Sequence, residues 1–154
     1  MKTEDYLKNL ERMGDWIKSA DQKVSIFLAF QGVVLIPLLP WVYENFYKSC
    51  TILPEAGIFL LLIGLGISIH TILPRMGDGK FRSLLYFRDV SSLGLGEYKK
   101  KVKDLSQDQY EDALLEQAHV LASIATRKHE EFRKAILFFS GGLTLLVVWG
   151  FMII

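Results

Sequence analysis

From Ser106 to Ile154 the chain carries a run that only a long helix satisfies. It opens with Ser106-Gln107-Asp108-Gln109, where a Ser and a Gln three residues on can satisfy each other's orphan backbone amides. No Gly or Pro follows until Gly141. Through Lys134 the run is charged on one side. Its apolar or small residues fall at Leu114, Ala118, Leu121, Ala125, Phe132 and Ala135, alternating by four and three once Lys128 is counted in the seam. That heptad stripe is made for another helix. After Lys134 the charges stop: Ala135 to Ile154 holds no Asp, Glu, Lys, Arg, His or Pro. As a helix it is long enough, at about 1.5 Å per residue, to cross a hydrocarbon core of roughly 30 Å. One helix is therefore expected to run from a solvated bundle into a bilayer.

The segment before the first apolar run repeats the pattern. Tyr6, Leu10, Met13, Ile17, Ala20 and Val24 alternate by four and three across a stretch with five acids and five bases. The two stripes are expected to pack together or between protomers, the alternative being two separate amphipathic faces. Val24 to Val42 is the first membrane candidate, with Pro37 and Pro40 expected to kink it or end it early. Trp41, Tyr43 and Tyr47 stand where an interfacial aromatic belt belongs. Gln31 lies near mid-span, so its amide is expected to face protein or water rather than lipid. Glu55 to Leu73 supplies a second span, with Pro54 suited to its first turn. Gly57, Gly64, Gly66 and Ser68 place small residues along it, and Gly64 with Ser68 permits close helix approach. His70 stands at its far end as an interfacial histidine or a proton sensor.

Pro74 to Gly79 breaks the helix and begins a soluble region. Phe81, Leu84, Leu85 and Arg88 suggest a short helix, Leu93-Gly94-Leu95-Gly96 a linker, and Tyr98, Val102 and Leu105 a further helix or turn. Lys99, Lys100, Lys101 and Lys103 form a basic cluster: a solvated face, or with Arg75 a contact for headgroups or a ligand phosphate. The N-terminal segment carries five basic residues, the Glu44–Pro54 connection one and the Pro74–Lys134 region twelve. Basic residues mark the cytoplasmic side, so the N-terminus and residues 74–134 are expected inside and the C-terminus outside.

Little in the chain points to catalysis or nucleic acid. The net charge is +1, and Cys50 is the lone cysteine, idle or linking two chains. Nothing resembles a cleavable signal peptide, an internal repeat or a low-complexity tract. His70, His119 and His129 lack metal-ligand spacing, and Gly94-Leu95-Gly96 is no dinucleotide fingerprint. Asp108, Glu111, Asp112 and Glu116 fit a solvated helix surface, the alternative being a cation site. No enzyme, cofactor or metal centre is expected.

Three stretches carry a family likeness. Trp16-Ile17-Lys18-Ser19-Ala20-Asp21-Gln22-Lys23 resembles the Ala-Asp-x-Lys motif with which the Pycsar transmembrane effectors (PycTM) enter their first span. Leu73-Pro74-Arg75 is similar to the close of that family's second span. Ala118-His119-Val120-Leu121-Ala122-Ser123-Ile124-Ala125-Thr126-Arg127-Lys128 is similar to the approach to its last one. SLATT-type membrane effectors are a more distant likeness. The resemblance implies a bacterial antiphage effector that an infection-induced cyclic nucleotide triggers to assemble and impair the inner membrane. The β-roll and phosphate cassette of a cyclic-nucleotide-binding domain are not recognisable here. Sensing therefore falls to the helical region or to a nucleotide-sensing or cyclase partner.

The chain is thus read as an all-α integral membrane protein and a single domain. It comprises a juxtamembrane helix (1–23), spans at 24–43, 55–73 and 135–154, and a cytoplasmic helical region (74–134). Asp21 at the bilayer edge needs water or a cation, Lys23, Arg127 or Lys128, with Lys128 preferred because it sits in the seam. The gating or packing candidates are Asp21, Lys23, Gln31, Gly64, Gly66, Ser68, Arg127, Lys128, Gly141 and Gly142. The expected function is a homo-oligomeric membrane-disrupting effector. The alternatives are a membrane adaptor docking a partner through its bundle, or a regulated ion channel.

Overall fold

A computed structural model of the chain describes residues 3–46, 52–73 and 87–153. Among them there are five helices and no strand: α1 (Thr3–Asn45), α2 (Leu53–Ile72), α3 (Phe87–Ser92), α4 (Leu95–Lys103) and α5 (Gln107–Ile153). Tyr47, Cys50, Phe81, Leu84 and Leu85 lie outside the described residues.

The local signals at the helix ends operate as chemistry dictates. Gln109 N–H donates to Ser106 Oγ at 3.2 Å, and Ser106 N–H donates to Gln109 Oε1 at 3.0 Å. This reciprocal cap starts α5. Pro54 stands in the first turn of α2, where its missing N–H leaves no bond unmade. Gly94 caps α4, so the expected linker yields Leu95 and Gly96 to a helix. Of the two outcomes expected from the prolines of α1, the early end is corrected: the helix continues past both Pro37 and Pro40 to Asn45. Leu35 and Val42 on either side are buried, and the Trp41 ring meets that of Trp149 edge-on. Packing thus holds the segment helical despite the amide hydrogens the prolines lack.

The chain packs as two compact units. One draws on Met1–Lys18 and Pro74–Thr126, the other on Ser19–Leu73 and Arg127–Ile154. Both α1 and α5 therefore contribute to each. In the first unit the stripe of α5 is buried at Leu114 and Ala125, and Tyr6, Leu10, Met13 and Ile17 of α1 are half-buried.

The second unit is apolar on its surface as well as in its core. Its interior includes Gln31, Ser68 and Thr71, while Ile26, Val33, Ile36, Phe59, Leu62, Leu137, Val147 and Phe151 are exposed. An aliphatic surface of that extent fits hydrocarbon, not water. Helices α1, α2 and α5 are each long and apolar enough to cross a membrane. The chain is an all-α membrane protein.

Candidate functional site

The three membrane helices meet along heptad seams. In α1 the buried residues are Ala20, Val24, Gln31, Leu35 and Val42; in α2 they are Pro54, Gly57, Leu61, Gly64, Ser68 and Thr71. In α5 the stripe continues in phase through Ala135, Phe139, Gly142, Leu146 and Trp149. Contacts fix the directions. Thr71 faces Glu131, Gly64 lies against Ala135 and Phe139, and Gly57 against Gly142 and Leu146, so α2 runs antiparallel to α5. Asp21 meets Lys128 and Trp41 meets Trp149, so α1 runs parallel to it.

The α2–α5 contact is backbone on backbone. A Cβ on Gly142 would stand 2.7 Å from Gly57 O and 2.9 Å from Leu61 N. One on Gly64 would stand 2.9 Å from Phe139 N and 3.0 Å from Ala135 O. Between helices in lipid there is little hydrophobic drive, so such close approach supplies the attraction through dispersion. Ser68 serves the same surface: it is buried, and its hydroxyl donates to Gly64 O at 3.1 Å within its own helix. Gly66 has nothing within 4 Å of where a Cβ would stand, and Gly141 meets only Leu60 Cδ1 at 3.8 Å. These two candidates are not part of the seam.

The α1–α5 contact is made by side chains. Phe27 meets Phe132 and Phe139 edge-on at centroid distances of 5.7 and 5.6 Å, and Phe30 meets Phe139 at 6.2 Å. Trp41 and Trp149 are 5.4 Å apart at 71°. Each such pair contributes roughly 0.5–1.5 kcal/mol beyond its buried area. Within this contact Gln31 is fully buried, facing protein as its mid-span position requires, yet neither Oε1 nor Nε2 has a partner among the described residues. A buried amide in that condition costs about 1–3 kcal/mol. The indole Nε1 of Trp149 is also unpartnered.

At the charged end of this unit a collar ties the three helices together. Lys128 Nζ donates to Asp21 Oδ1, joining α5 to α1. Lys128 is thus the cation that meets Asp21. Lys23 is exposed, and Arg127 turns along its own helix to Glu131, Nε to Oε1 3.3 Å. Glu131 in turn lies 3.4 Å from the Thr71 hydroxyl, which also donates to Ile67 O at 2.8 Å. Glu131 and Thr71 were not legible as site residues. Their signal is position alone: Glu131 stands three residues past Lys128, and Thr71 continues the α2 seam from Gly64 and Ser68. His70 beside them is exposed.

Elsewhere the candidates are less gathered. Lys99, Lys100 and Lys103 on α4 are exposed, and Lys101 pairs with Glu97 at 2.9 Å. Three of these lysines sit in the last turn, where they complement the helix dipole. Arg75 lies outside the described residues. In the first unit Glu111 accepts from the Thr3 hydroxyl at 2.6 Å and from Gln107 Nε2 at 3.0 Å. The Thr3 bond, then the Gln107 bond, holds the Glu111 carboxyl below its ordinary range. No group of three or more potential metal ligands occurs among the described residues.

Comparison with known proteins shows the family. The family model described as the Pycsar effector protein domain, PycTM, matches residues 5–154. The chain belongs to the PycTM family. Its likeness extends to the Pycsar effector protein SaPycTM of Staphylococcus aureus, 22% identical over 148 residues, covering 96% of this chain and 94% of the relative. The effector PtPycTM of Propioniciclava tarda is 28% identical over 156 residues, covering 95% of this chain and 77% of its own. GmPycTM of Gulbenkiania mobilis is 22% identical over 163 residues, covering 86% and 83%. No solved structure matches. The resemblance read from the Ala20-Asp21-Gln22-Lys23 stretch and its companions is therefore borne out. Asp21, the acid of that motif, is the residue that joins α1 to α5 in this PycTM chain.

Proposed function

We propose that this chain is an antiphage defence effector that assembles in the bacterial inner membrane and impairs its integrity, by forming a pore, when a cyclic-nucleotide signal arrives. The N-terminus and residues 74–134 lie in the cytoplasm, as the distribution of basic residues indicates, and the C-terminus lies outside. One observation carries the mechanism: α1 and α5 each belong to both compact units without a break. A ligand or a partner that rearranges the first unit would reach the membrane half through these two helices, which belong to both units. The Asp21–Lys128 pair stands just past the boundary between the units, where such a motion is first felt. The first unit is where the ligand, or a nucleotide-sensing partner, acts.

Dye release from vesicles tests this reading. Purified protein in anionic vesicles should release trapped dye when one of a panel of cyclic mononucleotides, or the partner that senses it, is added. An assembled protein that never releases dye would instead make it an adaptor that docks a partner.

A further inference from the structure

We propose that Gln31 is the contact by which copies of this chain recognise one another inside the membrane. Each amide pairs with the amide of a second copy once α1 turns away from α5. The inference rests on the self-assembling effector described above and names the residue that drives that assembly.

Ser68 and Thr71, also buried in the membrane half, bond within their own helices, Ser68 to Gly64 O and Thr71 to Ile67 O, while the Trp149 indole N–H is a single donor left unpartnered. Gln31 has no such partner for either end of its amide. It also sits on the helix best able to move. Helix α2 is locked to α5 through Gly57, Gly64 and Gly142, at distances that admit no side chain. Helix α1 has no lock of that kind, since a Cβ on Gly14 or Gly32 would meet nothing within 4 Å. Its hold on α5 consists of side chains: the ring edges, buried Leu35 and Val42, the Trp41 ring over Gly150, and the Lys128–Asp21 pair.

The chemistry of the amide selects the occupant. It has two donors and one acceptor oxygen with two lone pairs, so an identical amide across a two-fold axis satisfies it by reciprocal N–H···O bonds. The rest of the α1 seam, Ala20, Val24, Leu35 and Val42, is apolar and keeps heptad spacing. A heptad seam with one polar position is a helix that pairs with its own kind in a single register. In lipid such interhelical side-chain bonds favour association modestly, by up to roughly tenfold each.

The test uses full-length protein in phosphatidylethanolamine–phosphatidylglycerol vesicles at high protein-to-lipid ratio, comparing wild type, Gln31→Leu and Gln31→Asn. Assembly should weaken about tenfold in Gln31→Leu, while the thermal midpoint of its monomer rises, and Gln31→Asn should keep most of the assembly. In a Cys50→Ser background with Gln31 kept, Leu35→Cys, one turn along the same seam, should form a cross-linked dimer under mild oxidation, and Val33→Cys should not. Cross-linking decides the matter if Gln31→Leu fails to fold. A wild type that assembles alongside an equally assembled Gln31→Leu overturns this inference and leaves the effector reading intact. A wild type that stays monomeric both without and with the panel of cyclic mononucleotides overturns both. Labelling of Leu35→Cys by a water-soluble thiol reagent without cross-linking also overturns it, since the seam would then face an aqueous lumen.

Discussion

Helix α5 presents two seams, and they are built on opposite principles. Toward α2 it offers Gly142 and the backbone at Ala135 and Phe139, and main chains touch. Toward α1 it offers Phe132, Phe139 and Trp149, and rings touch edge-on. A backbone seam has one geometry, because nothing in it can rotate aside. A side-chain seam can repack through rotamers, and this one contains an amide that gains from repacking. The difference teaches that α2 and α5 form the fixed part of the membrane half, with α1 the part available for a switch.

Substitutions at glycine give the largest effects and test the comparison most sharply. Gly142→Ala and Gly64→Ala should each destabilise the purified protein by about 1–3 kcal/mol, since neighbouring main chain must give way. Gly66→Ala and Gly141→Ala should be neutral or slightly stabilising, as alanine favours helix by about 1 kcal/mol and nothing crowds it. Thermal unfolding in detergent measures all four, and equal losses would erase the distinction between the seams.

The collar should give a smaller effect. Lys128 is largely buried and Asp21 about half-exposed. Removing either should cost about 1 kcal/mol, and the Asp21→Ala, Lys128→Ala double variant should cost clearly less than the two losses added. Fully additive losses would mean the two charges do not hold α1 to α5.

The smallest effect lies in the first unit. Because the folded Glu111 carboxyl is held below its ordinary value of about 4.3, its contribution is complete above that pH. It is lost as the pH falls through the lowered value and the carboxylate takes a proton. Amide hydrogen exchange near Thr3, corrected for its intrinsic pH dependence, should then quicken in acid. Glu111→Gln should remove that dependence, and an unchanged acid response would clear Glu111 of the effect.

Much of the fold was legible in the chain because it depends on local facts. An uncharged stretch of sufficient length has few options other than a spanning helix, and Ser106 and Gln109 find each other through three residues of backbone. The pairing of Asp21 with Lys128 was legible too, since Lys128 sits in the α5 seam and Asp21, at the bilayer edge, needs a cation. The candidate glycines were not separable in that way. Gly64 and Gly66 are the same residue type in the same apolar surroundings, and only rotation of α2 against its neighbour distinguishes them, whereas Gly141 and Gly142 differ in phase. The 4-3 stripe of α5, carried past Ala135, would have marked Phe139, Gly142, Leu146 and Trp149.

By itself, then, the sequence determined three lipid-crossing helices, two of them continuous with charged extensions, because helix length and charge depend on residue content. Tertiary structure alone decided that α1 survives Pro37 and Pro40, that Glu131 reaches Thr71, and that Gln31 is enclosed without a partner among the described residues. Those outcomes depend on which surface each neighbour presents, and that is fixed only when the helices have packed.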